Sequence, residues 1–342
     1  MKPFIEGSSE SFPERIVMGA DLRRRTRHDP EAARHSPAAG HANAVIGAAA
    51  RTAADWLAPQ PLITLVLPFY NEAGYIERTL ESLARQKDRR FSLILVDNAS
   101  TDDSQARAAN KCAALSDVDI RFLHESKLGK IHALAAGLAR IETPYLATLD
   151  ADTWYPPDYV GNCIRLFRDN PDATAVMAIG LSCALGSAAR RRVLRATKLR
   201  SRLLPAKCHS GAYAQSFRTN AFRAAGGYDA AIWNFVLEDH EIVHRIARFG
   251  RLVYDTGHFC ITSDRREDRT GVSWSLAERL LYAAMPAAML NWYFHSFLVS
   301  RFARRKLFNL NLRTFARRPG APAQPMAAAN AAPRSSLEGS AA

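Results

Sequence analysis

The segment Tyr-Leu-Ala-Thr-Leu-Asp-Ala-Asp-Thr, residues 145–153, decides the fold of this chain. An apolar run of strand length ends in two carboxylates one residue apart, Asp150 and Asp152. In an open α/β sheet, ligands bind just beyond the carboxyl ends of the strands. Two hard oxygen donors there, beside Thr153, suit a divalent cation that keeps some waters and holds a substrate's phosphates. A plain strand-ending turn would use Asp as well. Toward the N-terminus, short apolar strands alternate with amphipathic helices. Residues 62–67 and 91–96 read as buried strands, 120–123 as a third and 145–149 as a fourth. Helices are expected over 77–86, over 104–115 after a capping Thr101 or Asp102, and after Gly129 through Ile131, Leu134, Ala135 and Leu138. This alternation indicates a doubly wound α/β sheet with parallel strands, continued by a strand at 175–179.

The rest of the chain bounds its chemistry. With 342 residues, 48% hydrophobic and 23% charged, it is globular and long enough for a full core. A net charge of +13 calls for an anionic partner such as a nucleotide, phospholipid head groups or nucleic acid. The charge is concentrated. Residues 190–202 hold seven Arg and Lys and no acid, and residues 300–342 hold eight against Glu338 alone. Arg191, Arg195, Lys198 and Arg202 follow helical spacing and would form one basic face, for a lipid surface or an acceptor's pyrophosphate or simply for solvent. The five cysteines lie far apart without a Cys-x-x-Cys pair, which disfavours zinc or a disulfide framework and fits a reducing compartment. Residues 1–13 carry acids and lack an apolar core, so no signal peptide is expected.

Several motifs follow in order. Pro68-Phe69-Tyr70-Asn71-Glu72 ends the first strand, and Asp97-Asn98-Ala99-Ser100-Thr101-Asp102 ends the second. Lys127-Leu128-Gly129-Lys130 precedes a helix, and Asp150-Ala151-Asp152 ends the fourth strand. Gly226-Gly227-Tyr228-Asp229 and Glu238-Asp239 come later. Over residues 61–266 this series resembles the family 2 glycosyltransferases. The resemblance implies a GT-A fold, here a doubly wound mixed sheet flanked by helices. It also implies transfer of a sugar, with inversion, from a nucleoside diphosphate sugar to an acceptor hydroxyl.

By that resemblance Asp239 is the catalytic base, and Glu238 positions it or the acceptor. An acidic helix start favoured by the dipole is the alternative. Pro68, Tyr70, Glu72 and Asp97 would face the nucleotide, the carboxylates accepting from base or ribose. Asp97 could instead cap the next helix. Lys130 would reach a phosphate. Asp152 would bind Mg²⁺ or Mn²⁺, with Asp150 near the ribose or reaching the ion through water. Arg265 and Arg266 would clamp the diphosphate or pair with Glu267 and Asp268. Trp233 would stack on the acceptor or fill the core. His240 and His244, though on one helical face, lack a third ligand and read as structural. One departure stands out: the family often continues Ala-Leu-Asn after the lysine, whereas here Ala135 follows Ala133-Leu134.

The expected organisation is a disordered extension over 1–60, the transferase domain over 61–270, a helical extension over 271–318 and a disordered tail over 319–342. Residues 280–299 carry no charge but contain Pro286, Asn291, His295 and Ser296, so they read as a membrane-lying or docking helix, a marginal span, or core. The expected partners are a nucleoside diphosphate sugar, an acceptor that can be lipid-linked or a cell-envelope glycan precursor, and an anionic membrane surface. The expected place is the cytoplasm or the inner face of its membrane. Nucleic acid is not expected, since no aromatic-interleaved basic surface is present. The Gly-rich, Arg-containing loop of a nucleotidyltransferase is absent, as is the Gln-x-x-Arg-Trp motif of membrane-embedded polymer synthases. The alternative reading is a catalytically silent binder of nucleotide sugars or membranes on the same fold.

Overall fold

Seven consecutive residues of β1 (Ile63–Phe69) and seven of β2 (Phe91–Asp97) are buried, as befits central strands covered on both faces. In the computed structural model, which describes residues 60–208, 210–263 and 274–311, the helix α1 (Ile76–Ala84) lies between these strands. The helix α2 (Ser104–Cys112) leads to β3 (Ile120–His124), and α3 (Lys130–Leu138) leads to β4 (Tyr145–Thr148). There follow β5 (Thr153–Trp154), α4 (Tyr159–Asp169), β6 (Ala173–Ser182), α5 (Ser187–Leu203), β7 (Gln215–Arg218), α6 (Thr219–Ala224), α7 (Glu238–Ile246) and β8 (Arg251–Thr262).

The sheet order is β3-β2-β1-β4-β7-β6-β8-β5. The first four strands are mutually parallel. The strand expected at 175–179 enters differently: β7 runs antiparallel to both β4 and β6 and joins the halves into a mixed sheet. Period-two alternation sends Val66, Ile94 and Val96 to one face, with α3 and α7, and Leu65, Leu67, Leu93 and Leu95 to the other, with α1, α2 and α4. Contact with α3 is so close that a Cβ on Gly137 would lie 2.6 Å from Val66 Cγ1.

The C-terminal helices complete one of these cores. Ser275 and Glu278 form a capping box at the start of α8 (Leu276–Ala284), and Pro286 ends the run, since proline cannot continue it. A second rod, α9, joins Leu290–Trp292 to Val299–Arg304 through a π-helical turn at Tyr293–Leu298. Tyr293, Phe294, Leu298 and Phe302 are fully buried. Glu278 accepts from Arg301 at 2.8 Å and from Arg305 at 2.8 Å, locking α8 to α9. No helix among the described residues is long and apolar enough to cross a membrane. The 280–299 segment is therefore two broken helices docked on the sheet domain.

Candidate active site

The carboxyl ends of β1, β2 and β4 carry the sequence motifs to one edge. There the backbone leaves ordinary φ space at non-glycine residues: Asn71 at +53°, Ala99 at +56° and, before Glu238, Leu237 at +66°. Such conformations persist only where neighbouring contacts enforce them, and the contacts are present. Asn71 donates from its amide N–H to Ser100 Oγ (3.1 Å) and accepts from Thr101 N–H at 2.8 Å, sewing the first loop to the second. Asp102 accepts from Ser104 N–H at 3.0 Å, but the N-cap of α2 is Asp103 rather than the expected Thr101 or Asp102, and its side chain makes no capping bond. Asp97 is buried; its Oδ1 accepts from Ser100 N–H at 3.0 Å and its Oδ2 lies 3.5 Å from His124 Nδ1.

Asn98, to which sequence reasoning gave no role, holds the lysine loop. Its Nδ2 donates to the carbonyls of Glu125 (2.9 Å) and Lys127 (2.8 Å), and its Oδ1 accepts from Gly129 N–H at 2.9 Å. Gly129 sits at φ +128°, which only glycine adopts easily. The loop thus aims Lys130 at Asp150, with Nζ 2.6 Å from Oδ1. Asp150 is steadied from behind, its N–H donating to Tyr155 Oη (3.1 Å), which in turn donates to Tyr213 O at 3.0 Å. Pairing of β5 with β8 brings Ser263 to Asp152, whose Oδ2 accepts from Ser263 Oγ at 3.0 Å. Arg265 and Arg266 lie outside the described residues.

The second carboxylate pair opens α7. Asp239 Oδ2 accepts from Ala212 N–H at 3.2 Å, and Oδ1 lies 2.8 Å from His240 Nδ1. His240, expected to be merely structural, therefore contacts the candidate base directly, with its ring edge-on to Trp274. Gln215 donates to Asp239 O at 2.9 Å. The Gly226-Gly227 turn, at φ +84° and +57°, presents Gly227 O to Arg245 at 2.8 Å, and Arg245 is paired with Glu241. Trp233 is only 3% exposed and donates its indole N–H to Val236 O at 3.1 Å. Its ring packs on Phe235, Phe294 and Phe302. Of the two readings of Trp233, the structure selects core packing.

Glu238 links the two carboxylate pairs. Burial, and then the charge of Asp239, push its carboxyl up from 4.5 to about 7, while Lys130 pulls it down and Asp150 pushes it up. The charges of Asp239, Lys130 and Asp150 thus all reach the Glu238 carboxyl. The folded pKa lies above the unfolded one, so the folded state holds the extra proton between 4.5 and about 7. The resulting stabilisation is complete below the lower value and is lost as pH rises through the upper. Glu238→Gln is expected to flatten this loss, giving a melting temperature that changes less than the wild type's between about pH 5 and pH 8.

Residues 307–309 pair with the loop that leads to Asp239. Val236 N–H donates to Leu307 O (3.0 Å), and Asn309 N–H donates to Asn234 O at 3.1 Å. Asn309 Oδ1 then accepts from Ile131 N–H at 3.1 Å, capping the helix that begins with Lys130. One buried residue therefore ties the base loop to the lysine helix, and no motif announces it. Asn309→Leu is expected to orphan the buried Ile131 N–H and cost about 1–3 kcal/mol, read as a lower urea midpoint with an unchanged slope.

Among the described residues, no group of three or more His, Cys, Asp and Glu side chains could hold a metal ion by itself. Two carboxylates at a strand end do fit an ion of the Mg²⁺ type, which takes one or two carboxylates and completes its shell with waters and phosphate oxygens. The ammonium of Lys130 against Asp150 indicates that the site favours a cation there.

Comparisons with known proteins place the fold. Residues 64–223 match the family model described as glycosyl transferase family 2. The mannosyltransferase PcManGT from Pyrobaculum calidifontis, solved in complex with GDP-Man and Mn²⁺, is similar over 77% of each chain with a TM-score of 0.55 and 18% identity, a likeness of fold. Over 91 residues the chain is 36% identical to a teichoic acid poly(glycerol phosphate) polymerase of Staphylococcus epidermidis, covering 26% of this chain and 12% of that one. Over 122 residues it is 26% identical to an undecaprenyl-phosphate 4-deoxy-4-formamido-L-arabinose transferase of Pseudomonas syringae, covering 35% of this chain and 36% of that one. The matches thus span about a third or less of these curated relatives' length.

Proposed function

Because residues 64–223 place this chain in glycosyl transferase family 2, we propose that it moves one sugar, with inversion, from a nucleoside diphosphate sugar to an acceptor hydroxyl. Asp239 takes the acceptor's proton as that oxygen attacks the anomeric carbon. The bond from that carbon to the diphosphate breaks on the opposite side, and its electron pair leaves with the nucleotide. The Ala212 N–H and the His240 imidazole hold the Asp239 carboxylate in place. Glu238, carrying its proton up to about neutral pH, donates a hydrogen bond to the acceptor or sugar without competing as a base.

The remaining residues bind the donor. Asp97 and Glu72, buried at the ends of β2 and β1, receive the nucleoside, with Pro68 and Tyr70 beside them. Lys130 transfers its charge from Asp150 to a donor phosphate, and Arg265 and Arg266 add to that clamp. Asp152, oriented by Ser263, and Asp150 would hold Mg²⁺ or Mn²⁺, which supplies Lewis-acid stabilisation of the leaving diphosphate. The acceptor is a lipid-linked or cell-envelope glycan precursor. Supporting this are relatives whose names include undecaprenyl phosphate and teichoic acid. Such an acceptor puts the enzyme in the cytoplasm at the inner face of the membrane.

The observation that carries this reading is the pairing of Lys130 with Asp150 at 2.6 Å beside a buried Glu238 and an Asp239 held by Ala212 N–H and His240. Its test is hydrolysis of UDP-, GDP- and dTDP-sugars by the purified chain with Mn²⁺ or EDTA. Slow metal-dependent release of one nucleotide is expected. Silence across the panel, together with no metal-dependent nucleotide binding, would replace the transferase by a silent binder.

A further inference from the structure

The helix α5 has no buried residue over its 17 positions, yet it is not a simple polar face. Val193 and Leu194 lean on the core, and Lys198 turns inward to Tyr254 O and toward Asp255. Lys198 thus leaves the basic stripe expected from spacing alone. The outward stripe alternates arginine and leucine: Arg191, Arg192 and Arg195, then Leu199, Arg202 and Leu203. Leu203 is 68% exposed and Leu204 follows it into solvent. Lys207 Nζ donates to Ala283 O at 2.6 Å, so the end of α5 meets the end of α8. Along α8 the outward residues are again apolar, with Leu276 at its start 73% exposed, then Leu280, and beyond the Pro286 break Met289 and Trp292. Arg279 is the only charged residue exposed between Leu276 and Trp292. Exposed large apolar side chains grouped with arginines on surface helices mark an interaction site.

We propose that the exposed leucines of α5 and α8 dock this chain on an anionic phospholipid bilayer, the leucines entering the head-group boundary and the α5 arginines contacting phosphates. The composition matches an interfacial surface, basic on its polar side with Leu and Trp on the other. A second copy of the chain fits poorly, since a two-fold contact would bring two arginine-rich patches of like charge together. A membrane-docked chain would share its surface with a lipid-linked acceptor. That last clause rests on the proposed transfer activity; the docking does not.

Co-sedimentation of the full chain with phosphatidylcholine vesicles, with and without phosphatidylglycerol, tests the docking. Binding is expected only with the anionic lipid. The exposed-site variants Arg191→Glu/Arg195→Glu and Leu203→Ser/Leu280→Ser are each expected to weaken it about tenfold or more, with unchanged circular dichroism. Equal binding by wild type and both variants, or no binding to either vesicle, would overturn the proposal. So would a wild type that dimerises while the leucine variant is monomeric, which would make a second copy the occupant. Retained vesicle binding with no turnover of any donor would reject the transfer reading and leave the docking intact.

Discussion

Asp239→Asn is expected to lower kcat by about three orders of magnitude while leaving the nucleotide's affinity within about twofold, because general-base catalysis typically contributes 10²–10⁴-fold. The substitution is nearly isosteric. Its single oxygen can still accept from Ala212 N–H or from His240, but not from both through carboxylate oxygens as Asp239 does. A loss of about 1 kcal/mol in stability should accompany it, too small to unfold the domain. Steady-state kinetics beside nucleotide titration separate the two effects. A variant that keeps kcat but loses affinity would move Asp239 from proton transfer to binding.

Asp152→Asn is the second large effect, with an expected loss of about 10²–10³ in kcat, the range seen when one preorganised electrostatic contact to a developing charge is removed. Wild type stripped with EDTA should lose a similar amount. The two losses should not add, since both remove one unit. The variant should accordingly respond weakly to added Mn²⁺. A variant as metal-dependent as the wild type would assign the ion to other ligands. Lys130 sharpens the contrast: it neutralises Asp150 directly at 2.6 Å, so its replacement raises the local negative charge and should weaken donor binding even when metal is saturating.

Much of the fold was legible because central parallel strands leave a strong trace. β1, β2 and β4 are mostly apolar without polar alternation and sit within two residues of the expected runs, since strands covered on both faces need not alternate. β7 was not legible. Gln-Ser-Phe-Arg at 215–218 has no strand signature, and it is a strand because β4 and β6 flank it with unpaired edges. The 280–299 segment misled for the opposite reason. Its composition suits lipid, but Pro286 and the π turn bend its aromatic residues onto Trp233 and the sheet domain.

The same division runs through the site. Asp150, Asp152, Glu238 and Asp239 stand out in the linear chain because carboxylates at a strand end or a helix start have few structural reasons to cluster. Their partners do not stand out. His240 is spaced to match His244 along a helix, yet it turns to Asp239; Ser263 reaches Asp152 through the β5–β8 pairing; Asn309 caps Ile131 from 178 residues away. By itself the sequence determined which groups carry the charge and which segments form the doubly wound sheet, because periodicity and local chemistry are written in adjacent residues. Only the tertiary structure decided how those groups are held, which face of α5 meets solvent and where the C-terminal helices lie. These depend on contacts between segments far apart in the chain, and such contacts have no local pattern to read.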